Sequence, residues 1–292
     1  ESNIKFNAGT GDFNWIKPGG KINGFEKAKV LGGAESAPWN ELVLRPIPQW
    51  KDFGVREYEN SGSIPSEGTG EWIECELPYN LHASPILDVE APAGKTIKIQ
   101  TDNFDYMGLR KASVRAEYVT GEGQQKYESL GWMNGHIVKY WIPEGVKINS
   151  LTYRETGFGC DFTGYFECND PFYDKLWKMA NRTLYVTMRD TYMDCPDRER
   201  AQWWGDAVNE SGEAFYALSP SSSTITKKGI LELINWQRED GTIYSPIPEG
   251  NWNKELPGQM LASVGYYGFW NYYLNTGDIV TMAKVYEGVG RY

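Results

Sequence analysis

The hydrophobic period changes once along this chain, near Cys168, and no single layer of structure suits both sides of the change. Before it, apolar and polar residues alternate in short runs: Glu71-Trp-Ile-Glu-Cys-Glu-Leu, Thr96-Ile-Lys-Ile-Gln, Ser113-Val-Arg-Ala-Glu-Tyr-Val and His136-Ile-Val-Lys-Tyr-Trp-Ile. Turn signals at Ala93-Gly94, Gly121-Glu-Gly123 and Pro143-Glu-Gly145 separate them. Alternation sends successive side chains to opposite faces, so residues 61–160 are predicted to form an antiparallel β-sandwich. After the change, Asn169-Asp170-Pro171 offers a polar N-cap and a first-turn proline, and Tyr173, Trp177, Ala180 and Leu184 recur at helical spacing. Further helices are predicted over 207–218, 226–237 and 259–274, with another beginning near Asp278 after Thr276-Gly277. Residues 1–60, rich in Gly, Pro and Asn, read as the tail of a preceding β module and a connector that includes Trp39-Asn-Glu-Leu-Val-Leu-Arg-Pro-Ile-Pro.

A net charge of −10 argues against nucleic acid or an anionic membrane as partner and suits a neutral substrate. No apolar run reaches the length of a membrane span. The opening Glu1-Ser-Asn-Ile-Lys is not a signal peptide and lacks an initiator Met, so the start is expected upstream or processed. Cys75, Cys160, Cys168 and Cys195 form no C-x-x-C pair, and only His82 and His136 can join them, so they read as buried free thiols rather than a metal site. They leave the compartment open. The 12 Trp and 19 Tyr suit large cores and cross-strand pairs, or stacking faces for sugar rings. About five helices with wide apolar faces do not close a layered ring, and the aromatic fourth one (Tyr266, Tyr267, Phe269, Trp270, Tyr272, Tyr273) needs neighbours on more than one side.

One segment gathers chemistry: Asp194-Cys-Pro-Asp-Arg-Glu-Arg-Ala-Gln-Trp-Trp-Gly-Asp206, at the junction of two predicted helices. Asp194, Asp197, Glu199 and Asp206 stand beside Arg198 and Arg200, with Trp203-Trp204 between. Glycoside hydrolysis needs a carboxylic acid to protonate the leaving oxygen, carboxylates to hold hydroxyls, and an apolar wall that keeps the acid protonated. The same residues equally suit a helix-capping loop laced by ion pairs, with Asp206 as N-cap, and residue types alone leave both open.

The string Asp-Cys-Pro-x-Arg-Glu-Arg-x-x-Trp-x-Gly-Asp resembles the catalytic signature of bacterial α-L-rhamnosidases, inverting glycosidases with a concanavalin-like β-domain and an (α/α)6 barrel. Tyr153-Arg-Glu-Thr-Gly157, Phe166–Asp174 and Met188–Asp194 extend the resemblance, which covers roughly residues 35–292. It implies a multidomain β + α chain: an antiparallel β-sandwich followed, over residues 161–292, by the N-terminal part of the (α/α)6 barrel, a six-hairpin glycosidase. It implies that Glu199 is the general acid, that Asp194 and Asp206 hold rhamnose hydroxyls, that Arg198 stands beside the acid, and that Trp203 contacts the sugar. Trp204 occupies a position that is usually small and polar in relatives and receives no role. The family's general base is a glutamate expected beyond Tyr292; in-chain substitutes would be Glu210, Glu213, Glu239 or Glu249, each more simply a solvated helix or loop charge.

The implied reaction removes terminal α-L-rhamnose from a rhamnose-containing oligosaccharide, polysaccharide or glycoside. The alternatives are a non-catalytic carbohydrate-binding relative and an (α/α)6 glycosidase for another deoxy sugar or uronide. The resemblance implies neither cofactor nor metal, and makes the remaining barrel and flanking modules of the same polypeptide the partners. It points to a periplasmic or secreted bacterial protein, with the cytoplasm as the other option. Glu199 is expected to titrate above a free glutamate, desolvated by Trp203-Trp204 and repelled by Asp194 and Asp206, with Arg198 and Arg200 opposing. The 292 residues alone are expected not to turn over rhamnosides.

Overall fold

A computed structural model describes residues 4–10, 17–21, 24–37, 42–106, 114–247 and 255–292. Trp39 and its two following residues, Ser113 and Glu249 lie outside them.

The N-terminal half is one continuous sheet: β1 (Ile4–Asn7), β2 (Lys51–Glu57), β3 (Trp72–Ala91), β4 (Thr96–Thr101), β5 (Ala116–Val119), β6 (Gly123–Glu128), β7 (Met133–Trp141) and β8 (Lys147–Gly157). The strand order is β1-β5-β4-β7-β3-β8-β2, with β6 also on β3. Every pairing is antiparallel except β1 with β5. The 20-residue β3 joins two arms. Its first half alternates buried Ile73, Cys75 and Leu77 with outward Trp72, Glu74 and Glu76, and pairs with β7. At Pro78-Tyr79-Asn80 the register slips, as a bulge with a proline requires, and the second half pairs with β8 and β6. The arms then face each other across one core. Tyr58 packs on Tyr140 of one arm and Tyr153 of the other, and Tyr118 stacks on Tyr127 at 4.7 Å. Past the bulge, Leu81 and Ala83 join this core, while buried His82 meets the helices through Val186.

The connector stretch contributes to this sheet as well as preceding it. β1 and β2 are strands of it, and Ile47 packs into the helical core. Lys51-Asp-Phe-Gly-Val-Arg-Glu hides its strand character because β2 lies at an edge and carries a bulge at Gly54, whose φ of 87° suits glycine.

The second half is helical: a short α1 (Asn103–Tyr106) lies back within the sheet region, then come α2 (Pro171–Val186), α3 (Trp204–Ala217), α4 (Ser223–Asn235), α5 (Pro257–Val264), α6 (Asn271–Thr276) and α7 (Ile279–Arg291). Two-residue strands β9 (Gln202–Trp203) and β10 (Pro246–Ile247) pair between them. Asp170 caps α2 by accepting from Phe172 N (2.9 Å) ahead of Pro171. Of the expected α2 stripe, only Leu184 is fully buried; Tyr173 is half exposed. The helix expected over 259–274 is widened by a π-turn over Gly265–Trp270. Trp204 causes the accommodation: its indole N–H donates to Ser263 O (3.0 Å), and a Cβ on Gly268 would sit 3.1 Å from its ring. Gly277 ends α6 in the left-handed region and Asp278 starts α7, accepting from Thr281 N, Thr281 Oγ1, Lys227 and Tyr272.

Sheet and helices share an interface. Tyr185 OH donates to Phe158 O (2.8 Å), Lys51 pairs with Asp161, and Arg182 lies over Tyr79.

Candidate active site

Asp194–Asp206 runs from just beyond α2 into α3. Its neck is closed twice by one residue: Asp194 N–H donates to Ala201 O (3.0 Å), and Ala201 N–H donates to Asp194 Oδ1 (3.1 Å). Beyond the neck, β9 pairs with β10, and Trp204 N–H donates to Ser245 O (2.8 Å). The long loop after Gly241 therefore braces the acidic segment. At Arg200 the backbone turns left-handed, with φ of 53°, which a non-glycine residue holds only under constraint. There neighbouring side chains part: Glu199 stays with Arg198 and Cys195, while Arg200 leaves for the sheet.

Glu199 is enclosed by donors. Oε1 accepts from Arg198, and Oε2 accepts from Cys195 Sγ at 2.9 Å. The Glu199 side chain is 9% exposed, against 38% for Arg198, so the carboxyl is sheltered while its cation reaches solvent. Burial pushes Asp194 up, to about 6, and its hydrogen bond to Glu199 adds to this, against the opposing bonds from Cys195 and Ala201. Burial also pushes Glu199 up, but hydrogen bonds from Arg198, Cys195 and Asp194 outweigh it and hold the carboxyl well below its ordinary range. The two carboxyls are thus driven apart, Asp194 upward and Glu199 downward.

That reverses the expectation of a raised Glu199 in the free protein. The cause is geometric: Trp204 forms no wall beside the acid but is buried against Phe269 in the helical core, and Arg198 binds the carboxylate directly. Trp203 is half-buried and serves as N-cap of α3 without a side-chain cap bond. Asp206 is therefore a first-turn residue rather than the N-cap, and burial raises it, against its own backbone N–H. One turn on, Glu210 is also no solvated charge. Its Oε2 is hidden without a hydrogen-bond partner among the described residues, and burial raises it, with Asp206 and Asp194 adding. Glu213 and Glu239 are both exposed, although partial burial still raises Glu213.

The four cysteines are free, but only Cys75 and Cys160 are buried; Cys168 and Cys195 are partly exposed, and Cys195 donates to the carboxylate. Among the described residues, Asp194, Cys195 and Glu199 offer ligand atoms within 4.8 Å of one another and could hold a metal ion. A cation would have to displace the Cys195 thiol proton, which burial and the bond to Glu199 push up to about 11. Two cavities flank other parts of the helices. One of 680 Å³ lies between α2 and β3 against Tyr79, Phe162, Trp177 and Arg182; one of 710 Å³ lies between α3 and α5 against Val208, Asn209 and Tyr267. Neither is lined by Glu199 or Asp194.

Sequence reasoning missed the proton-donating role of Cys195, although the residue lies inside the motif. It also missed Trp132 of the sheet, which Arg200 contacts and which no local pattern marks.

Known proteins share both the fold and a stretch of sequence with this chain. Residues 161–292 match the family model of the bacterial α-L-rhamnosidase six-hairpin glycosidase domain. An α-L-rhamnosidase of Formosa agariphila is 25% identical over 191 residues, covering 59% of this chain and 19% of that protein. The structure of a Streptomyces avermitilis α-L-rhamnosidase complexed with L-rhamnose superposes with a TM-score of 0.76 at 21% identity, over 98% of this chain and 28% of that one. A rhamnosidase from Klebsiella oxytoca with rhamnose bound gives 0.66 at 12% identity, over 84% and 56%. The chain thus spans about a fifth of the curated relative. Residues 161–292 are similar to the bacterial α-L-rhamnosidase six-hairpin glycosidase domain, and sheet and helices together have the fold of the solved α-L-rhamnosidases.

Proposed function

We propose that this loop holds a terminal α-L-rhamnosyl unit and that Glu199 is the general acid for its hydrolytic removal. The observation that carries the reading is the Asp194–Glu199 pair: two neighbouring carboxyls in one sheltered loop, driven to opposite sides of their ordinary range and flanked by the half-exposed Arg198. A neutral sugar entering the loop competes for Arg198 with its hydroxyls and excludes water. Both changes weaken the hold on the carboxylate form of Glu199, so the proton moves from Asp194 to Glu199 and from there to the glycosidic oxygen. Asp194 and Asp206, then ionised, accept hydrogen bonds from ring hydroxyls, and Trp203 offers an apolar face. In the inverting form of this reaction, a second carboxylate about 6.5–9.5 Å away activates water on the opposite face. We assign that base to the part of the protein outside these residues.

The pair's protonation sets the pH dependence. Because Asp194 releases its proton at about 6, kcat/KM should fall as pH rises through that value. The test is a panel of aryl glycosides hydrolysed by the complete protein that carries this chain, with and without Glu199→Gln. Rhamnosides with poor leaving groups should lose on the order of 10²–10⁴ in rate in the variant. Unchanged rates would remove Glu199 from the acid role. Sugar binding without turnover would favour a carbohydrate-binding protein, and turnover of another deoxy sugar or a uronide would reassign the substrate.

A further inference from the structure

The sheet reaches into the acidic loop at one place. Arg200, next to Glu199, lays its guanidinium 3.5 Å from the ring centre of Trp132, the residue just before β7. One guanidinium N–H donates to Trp132 O (3.0 Å), and Arg200 Nε donates to Pro196 O (2.9 Å) inside the loop. A single side chain thus ties the loop backbone to the sheet.

We infer that Trp132 is a positioning residue for the acid loop: through Arg200 it fixes where Glu199 stands, although it belongs to the other half of the molecule. The inference rests on the reading of Glu199 as the acid.

Three observations carry it. First, the platform is itself immobilised. Trp132 packs on the ring of His82 at 4.2 Å and under the guanidinium of Arg189 at 4.6 Å, and Arg189 is also stacked on Trp50 at 3.8 Å. His82 Nε2–H donates to Val186 O (2.7 Å), so its Nδ1 is free to accept from Arg189 (3.0 Å). Burial and Arg189 keep this histidine neutral, so it adds no third cation beside the two arginines. Second, Arg200 is held by a π face and carbonyls rather than a paired carboxylate. Buried Asp197 attracts it, yet neither Asp197 oxygen has a hydrogen-bond partner among the described residues. A planar cation stacked on indole and bonded at two edges is fixed in direction as well as place. Third, the left-handed backbone at Arg200 points Arg200 to the sheet and leaves Glu199 with Arg198 and Cys195. Loss of the anchor relaxes that turn and moves the acid. The sheet–helix interface has other ties, Tyr185 to Phe158 and Lys51 to Asp161, so Trp132 is not needed to hold the halves together.

A displaced acid has a kinetic signature that a merely loosened fold lacks. An aryl rhamnoside with a dinitrophenyl leaving group departs without a proton, whereas a phenyl rhamnoside needs one. In the complete protein, Trp132→Leu should lower kcat/KM for the phenyl substrate on the order of 10²-fold and leave the dinitrophenyl substrate nearly unchanged. Trp132→Phe, which keeps an aromatic face, should restore most of the loss. Arg200→Lys, which keeps charge but loses the planar fork, should reproduce the selective loss and serves if Trp132→Leu folds poorly. Glu199→Gln is measured alongside. If it shows the leaving-group selectivity and the Trp132 and Arg200 variants lose both substrates equally or neither, the positioning role is overturned. If Glu199→Gln itself shows no selectivity, the acid assignment falls and the inference falls with it.

Discussion

Asp194→Asn should make the protein more stable at neutral pH while weakening its hold on rhamnose. Asp194 carries its proton up to about 6, against an ordinary value of 3.8. The shift corresponds to about 3 kcal/mol, and solvent screening in the partly open loop reduces this to about 1–2 kcal/mol. The sign follows from the direction of the shift. A carboxyl raised in the folded state contributes fully when protonated in both states, below about pH 4, and the contribution is lost as pH rises through about 6. Asparagine mimics the protonated form: its Oδ1 can still accept from Ala201 N–H, and its amide can donate to Glu199 as the carboxyl proton does. Urea denaturation of both proteins at pH 4 and pH 7.5 is the assay. The variant should gain little at pH 4 and about 1–2 kcal/mol at pH 7.5, a Tm shift of roughly a few °C. Rhamnose affinity should fall roughly ten- to a hundred-fold, because a hydrogen bond to a charged group contributes about 1.5–3 kcal/mol. A variant less stable than the parent at both pH values would refute the protonated Asp194 and leave it only its loop-closing bonds.

Arg198→Gln should raise the titration of Glu199 by about one unit, since a half-exposed cation contributes near the lower end of a charged hydrogen bond. Carboxyl ¹³C NMR reads this directly, and an unmoved Glu199 contradicts it. Trp204→Ala should cost about 3–5 kcal/mol by opening the core at the π-turn, whereas Trp204→Phe should cost about 1 kcal/mol for the lost bond to Ser263. Equal costs in chemical denaturation would mean that packing is not what Trp204 supplies. Asp278→Ala should cost about 1–2 kcal/mol by uncapping α7. Because its hydrogen bond from Thr281, ahead of those from Lys227 and Tyr272, holds Asp278 well below the usual carboxylate range, the cost should be full above about pH 4 and vanish in stronger acid.

How much of this was legible before the structure depended on whether the signal was local. The helices were, because Asp170-Pro171 and Gly277-Asp278 carry their own capping chemistry. The alternation in Glu71–Leu77 exposed half of β3, but not its second half, where the strand is buried on both faces and alternation vanishes. The π-turn was invisible because its cause, Trp204, lies 59 residues from Ser263, whose carbonyl it takes. Within the site, the motif named Glu199, Asp194, Arg198 and Asp206, and the loop brings the first three together. The protonation state was misread because composition placed two tryptophans near the acid, while the direction of Trp204 is set by the core behind it. Trp132 could not have been found, since its contact with Arg200 spans 68 residues and two layers of the fold.

In the proposed mechanism Glu199 faces the glycosidic oxygen of a bound rhamnoside. A crystal structure of the complete protein carrying Glu199→Gln, with an uncleaved aryl α-L-rhamnoside, tests it most directly. The side-chain amide at position 199 should lie within about 3.2 Å of the glycosidic oxygen. Asp194 and Asp206 should then be on ring hydroxyls, and Arg198 turned away from position 199 toward the sugar. A rhamnoside seated elsewhere, or at this loop with position 199 still locked to Arg198 and remote from the scissile bond, would contradict it.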